Sequence, residues 1–211
     1  FVFCVSFLVP ASVSAVVTVS TGGSDSGNSM MNSSPMPGWD LPWDSVGRVG
    51  GATGTHIGEG WVLTARHVAT AMTYFDGVGY EPEPGTAVSI GGFDMKVFRL
   101  KQVPDVPAAP LSTGPLSPGD QIVMVGYGNV RTSDVYELGY SLTGFDHGPG
   151  HGTKTWGANV VDYSVHGEPE VSWRFDTDED LLTQDAVLPE YEALAVNGDS
   201  GSPAFVRREH G

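Results

Sequence analysis

Three short stretches of the chain hold side chains that could carry out nucleophilic chemistry together. Gly60-Trp61-Val62-Leu63-Thr64-Ala65-Arg66-His67-Val68 runs an apolar strand into small residues and then presents a histidine. Asp94-Met95-Lys96-Val97-Phe98-Arg99-Leu100 opens an alternating strand on an aspartate, and Asn197-Gly198-Asp199-Ser200-Gly201-Ser202-Pro203-Ala204-Phe205 sets a serine between glycines. A serine hydroxyl is a poor nucleophile unless a base takes its proton during attack. Histidine suits that task because an imidazole titrates at about 6.5. A carboxylate behind the ring fixes its tautomer and stabilises the imidazolium. Glycines beside the serine let the backbone turn its N–H groups toward a developing oxyanion.

In this order the three stretches resemble the LTAAH, D-[IL]-A-L-L-x-L and GDSGGP blocks of the trypsin-like (chymotrypsin-fold) serine proteases. The resemblance spans about Val46 to Val206, and Gly198-Asp199-Ser200-Gly201 is its most specific part. It implies His67 as general base and acid, Asp94 as its orienter and Ser200 as nucleophile. The oxyanion hole would be the backbone N–H groups of Gly198 and Ser200. Within the family the chain is most similar to exported bacterial members that lack disulfides. The stretch Lys154-Thr155-Trp156-Gly157-Ala158-Asn159 is similar to those proteins too, without a chemical role.

The aspartate has a rival. Asp94 lies 27 residues beyond His67, a tight interval for the family, and Asp105 follows further on. Asp94 is preferred because a strand follows it, whereas Asp105 is followed by prolines that cannot serve a strand ladder. A G-x-S-x-G elbow is excluded, since position 202 is serine and only Glu209 and His210 follow to complete such a triad. Arg48-Val49-Gly50-Gly51 has the look of an activation cleavage site, but it stands too close to His67 and reads instead as the end of a first strand. Asp199 keeps the family's acidic residue before the nucleophile, for which an internal partner is expected. The substrate-binding residues stay unknown. Leu194, between Ala193 and Ala195, stands where trypsin-type members place a carboxylate, and Glu192 is the nearest acid. Asp146, His147 and His151 are separated by a glycine-proline loop, and Asp176, Asp178, Glu179 and Asp180 read as a solvated acidic turn. Neither cluster is expected to hold a metal.

The elements that must position these residues are short strands. The chain has 211 residues, one to two domains in length, and 29 glycines with 15 prolines leave little room for long helices. Apolar runs at Val46–Val49, Trp61–Ala65, Val97–Leu100, Gln121–Val125, Thr155–Val161, Val171–Phe175 and Ala204–Val206 alternate with Gly/Pro/Asp punctuation. That spacing predicts an all-β sandwich or barrel. Five prolines between Val103 and Gly119 predict an extended connector joining two halves, 43–102 and 119–211. Acidic residues outnumber basic ones 25 to 10, for a formal charge of −15, which disfavours nucleic acid and anionic membranes as partners.

The ends carry their own expectations. Phe1–Pro10 reads as the apolar core of a secretory signal, with small residues Ser12-Val13-Ser14-Ala15 for cleavage after Ala15. Cys4, the one cysteine, lies in it, so the mature chain would have no disulfide. Residues 16–42 read as a flexible leader. Residues 201–211 are too few for the strands and terminal helix the family adds after its serine. A sequence cut at both ends, with an open sheet edge, is expected.

The expected molecule is an all-β protein of two six-stranded antiparallel β-barrels, the second incomplete. It would be a secreted or periplasmic, monomeric serine endopeptidase acting on protein or peptide substrates. It would need no metal or organic cofactor and would not insert stably in a membrane after signal cleavage. The alternatives are a catalytically inactive protease-like binding module and an esterase with the same triad.

Overall fold

The computed structural model describes residues 2–6, 17–18, 34–112, 114–137, 141–148, 153–161, 163–164, 171–172 and 193–207. Among them the chain is all-β, with one 3-10 turn at Trp43–Ser45. The strands are β1 (Val2–Ser6), β2 (Val17–Thr18), β3 (Val46–Val49), β4 (Ala52–Gly58), β5 (Trp61–Ala65), β6 (Thr73–Phe75), β7 (Val78–Tyr80), β8 (Val88–Ser89) and β9 (Met95–Arg99). The second half continues with β10 (Gln121–Gly126), β11 (Val130–Glu137), β12 (Ser141–Gly148), β13 (Thr155–Val160), β14 (Tyr163–Ser164), β15 (Val171–Ser172), β16 (Ala193–Leu194) and β17 (Pro203–Arg207).

The first half is one antiparallel sheet in the order β7-β6-β3-β4-β5-β9-β8. Seven strands stand where six were expected. The terminal strands β7 and β8 do not pair with each other, so the barrel is not closed by hydrogen bonds. Both are short, and Val78 and Val88 are exposed, which leaves little apolar surface to draw these edges together. The concave face encloses Val49, Val62, Ala65, Val68, Phe75, Phe98 and Leu100.

The second half is built on the sheet β1-β17-β10-β13. Its central strands are buried on both faces. On β10, Val123 and Val125 pack with Trp43, Val46, Trp156 and Phe205, whereas Ile122 and Met124 pack with Leu116, Ala204 and Val206. That is the period-two signature of a strand, and it explains why Gln121–Val125 is almost unbroken in apolar character. The pairs β11-β12, β14-β15 and β16-β2 are separate two-stranded ribbons among the described residues.

Two expectations about the chain's course are altered. Residues 34–42, read as part of a leader, pack down: Met36 and Leu41 join the core beneath Trp43, and Trp156 Nε1–H donates to the Ser34 carbonyl at 2.8 Å. The sequence signal was weak because Met36, Trp39 and Leu41, set among Ser, Pro, Gly and Asp, carry no period. Val2–Ser6, inside the segment read as an export signal, form the antiparallel neighbour of β17, from Val2 opposite Arg207 to Ser6 opposite Pro203. β17 therefore lies between β1 and β10, and the sheet is open at β1 and β13 among the described residues.

The connector has no extended strand and lies against the first half. Ala109 N–H donates to the His56 carbonyl at 2.8 Å, and Ala109 is buried. Lys154 adds a second tie: its buried ammonium donates to the carbonyls of Trp43 (2.8 Å) and Val46 (3.0 Å), with the Trp43 ring centre 4.8 Å away. Burial pushes its pKa down to about 8. No helix among the described residues is long and apolar enough to cross a membrane.

Candidate active site

His67 and Asp94 are brought together by neighbouring strands. β5 and β9 pair antiparallel with Ala65 opposite Met95, and the ladder extends by one bond, Arg66 N–H to the Asp94 carbonyl at 3.0 Å. Beyond Ala65 the chain turns, Val68 N–H donating to the Ala65 carbonyl at 3.1 Å. The Asp94 carboxylate consequently faces His67 with both oxygens: Oδ1 accepts the His67 backbone N–H at 3.1 Å, and Oδ2 lies 2.5 Å from Nδ1. A carboxylate there calls for the proton on Nδ1, which leaves Nε2 as the free base. Asp105 is exposed, its backbone N–H reaching Tyr80 Oη at 3.4 Å. The acid that meets His67 is Asp94.

Ser200 arrives from the other half. Its loop is tightened by two turn bonds, Asp199 N–H to the Val196 carbonyl (3.3 Å) and Ser202 N–H to the Asp199 carbonyl (2.6 Å). Thr53 on β4 then clasps it: Thr53 N–H donates to the Ser200 carbonyl (3.1 Å), and its hydroxyl donates to the Gly198 carbonyl (3.0 Å) while accepting Tyr127 N–H (3.0 Å). Gly201 permits this approach. It has φ +88°, and a Cβ there would stand 2.3 Å from Thr64 Oγ1 and 2.5 Å from the Thr53 carbonyl oxygen. Only glycine tolerates both the conformation and the contact. With the loop seated, Ser200 Oγ lies 2.9 Å from His67 Nε2.

Gly198 has φ +108°, and a Cβ would meet Gly128 Cα at 2.9 Å. Among the described residues neither the Gly198 nor the Ser200 N–H is spent on a hydrogen bond. The side chain between them, Asp199, is buried and accepts Gly128 N–H at 3.1 Å. Burial pushes its pKa up to about 8, against the opposing pull of the Ser202 hydroxyl and the Gly128 and Tyr127 N–H groups. The internal partner expected for it is thus the Gly128 N–H on Oδ1, while Oδ2 and the Ser202 hydroxyl are buried without a hydrogen bond among the described residues.

A cleft of about 220 Å3 opens beside the pair, between the β3–β4 turn (49–52), the segment 67–69, Gly198 and Ser200. Apart from the His67 imidazole and the Ser200 hydroxyl, its walls are glycine, alanine and valine. Ala193 is buried, while Glu192, His151 and the acidic run 176–180 lie outside the described residues. Asp146 is exposed and accepts a bond from Ser133 at 3.1 Å. Among the described residues no three metal-ligating side chains come together. Sequence reading missed Thr53 and Lys96. Thr53 sits in a Gly/Thr stretch with no pattern to mark it, whereas Lys96 was visible as a charge at an inward position of an alternating strand.

The arrangement suits a proton relay from a hydroxyl through an imidazole held by a carboxylate, with two N–H groups nearby for an anion.

Comparison with known proteins bears on the family and the fold. A family model described as "Trypsin-like peptidase domain" matches residues 52–210. No curated protein matches the chain. Among solved structures, the one titled as the atomic-resolution structure of HBP is similar at 15% identity, covering 80% of this chain and 76% of its own, with a TM-score of 0.53. The inactive form of the Rv3671c protease is similar at 18% identity over 78% of this chain and 83% of its own, with a TM-score of 0.45. The likeness to HBP shows a shared fold.

Proposed function

The chain belongs to the trypsin-like peptidase family, and from that premise we propose that it is an exported serine endopeptidase. The observation that carries the reading is the chain of contacts from Asp94 through His67 to Ser200, at 2.5 and 2.9 Å.

Ser200 Oγ attacks the peptide carbonyl carbon as His67 Nε2 takes its proton. Asp94 keeps the imidazole oriented and stabilises its cation. The carbonyl oxygen gains negative charge and is received by the Gly198 and Ser200 N–H groups. Collapse of the tetrahedral species breaks the C–N bond, and His67 returns the proton to the departing amine. Water, deprotonated by His67, then cleaves the acyl-enzyme and restores Ser200. Because the leaving amine must sit beside Nε2, the residue that follows the scissile bond lies over the cleft flanking His67. Its glycine and alanine walls favour an apolar side chain over a charged one. Export is supported by the apolar run Phe1–Pro10 and the small residues after it; release after Ala15 would remove β1 and leave that side of β17 open.

The test is hydrolysis of a quenched-fluorescent peptide library by the full chain and by Ser200→Ala. Cleavage by the wild type alone is expected. Equal cleavage by the Ser200→Ala chain overturns the reading.

A further inference from the structure

One buried charge in the first half has no part in the relay just described. Lys96 lies on β9 two residues after Asp94, and successive alternate positions of a strand share a face. Lys96 and Phe98 therefore point toward the interior, and Lys96 is 8% exposed. A buried ammonium is costly unless it is paired and hydrogen-bonded, so its location calls for a reason. Its Nζ donates to the Val68 carbonyl. Burial lowers its pKa, and the charge of Asp94 acts in the opposite direction.

These contacts form a grip. The turn 66–68 is held at one end by Asp94, which accepts the N–H groups of Arg66 (on its carbonyl) and His67 (on its carboxylate). At the other end it is held by Lys96 through Val68. The imidazole leaves the turn between the two holds. We propose that Lys96 is a positioning residue for His67: its ammonium, bonded to the Val68 carbonyl, fixes the far end of the turn from which the imidazole projects. The inference rests on the reading of His67 and Ser200 as base and nucleophile. Arg66, at the start of the turn, has its Nε 3.8 Å from Asp94 Oδ1. Asp199 flanks Ser200 on the nucleophile loop.

The experiment is steady-state kinetics of the full chain beside Lys96→Met and Lys96→Gln. Methionine fills the same space without a charge or a donor, and glutamine keeps a donor without the charge. Lys96→Met is expected to lose ~10- to 100-fold in kcat/KM through misplacement of the ring. The loss falls on kcat more than on KM, because the ring that takes the Ser200 proton is displaced while the cleft is not. Lys96→Gln recovers at least part of the rate, because its amide still donates to the Val68 carbonyl. If Lys96→Met does not fold, Lys96→Leu replaces it as the variant without a donor. Equal kcat in the glutamine variant and the variant without a donor overturns the proposal, since a residue that only packs gains nothing from a restored donor. Reaction of the wild type with a serine-directed phosphonate separates the failures: a labelled wild type without rescue by glutamine sinks this inference alone, and an unlabelled wild type sinks the triad reading beneath it.

Discussion

His67 and Asp94 come from strands that are hydrogen-bonded neighbours, β5 and β9, and the bonds between their backbones place the side chains together. Ser200 reaches the same point from 133 residues away, across a contact between loops rather than along a ladder. The base and its acid are thus set by sheet register. The nucleophile is set by how closely two loops can approach, which here depends on Thr53, Gly198 and Gly201. The difference teaches where each half is fragile. Register resists perturbation because a slip would turn every side chain to the opposite face, whereas a loop contact can be lost by adding one methyl group.

The comparison breaks most sharply at the carboxylate. Asp94→Asn keeps shape and register but removes the acceptor that fixes the imidazole tautomer, and kcat should fall by about 10,000-fold. Asp105→Asn should leave it unchanged. Steady-state kinetics on one peptide checks both, and the reverse ranking would move the acid to Asp105.

Next in size is the loop contact. Gly201→Ala drives a Cβ into Thr64 Oγ1 and the Thr53 carbonyl, so the nucleophile loop must retreat from His67. A loss of roughly 100-fold in kcat/KM is expected from misplacement alone, with about 1–3 kcal/mol of stability lost to overpacking. Kinetics and a thermal melt on the same sample separate the two. Full activity in this variant would mean that the halves meet more loosely than the contact implies.

The smallest effect sharpens the comparison from within the nucleophile loop. Asp199 has its pKa raised from 3.8 to about 8 by burial. The fold therefore favours the protonated carboxyl. That stabilisation is complete below the unfolded value and is lost as pH rises through 8. Wild-type melting temperature should fall by a few degrees between pH 5 and pH 8 relative to Asp199→Asn, whose amide does not ionise. Parallel pH dependences would show that the site admits the charge.

Much of this was legible in the residues. Val46–Val49 and Trp61–Ala65 are strands at the bounds their apolar runs indicated, and Gln121–Val125 falls short of its strand by one residue. Burial drives those segments, so hydrophobicity announces them. β4 was not announced, because Thr53, Gly54, Thr55 and His56 are buried without being apolar. They are small or hydrogen-bonded, as the close passage of the nucleophile loop and the connector requires. β11 and β12 were hidden for a related reason: a ribbon rich in Ser, Thr, Asp and Gly has no alternation to read. At the site, His67, Asp94 and Ser200 stood out by type and order. Lys96 and Thr53 act through backbone carbonyls, and nothing in a side chain's identity says which carbonyl it will find.

The most direct measurement is mass-spectrometric mapping of a fluorophosphonate adduct on the full chain, with His67→Ala as control. The adduct should fall on Ser200 and vanish when the imidazole is removed, since an unassisted hydroxyl does not react. An adduct on another residue, or one on Ser200 that forms equally well in His67→Ala, would contradict the claim that the two halves meet to activate this serine.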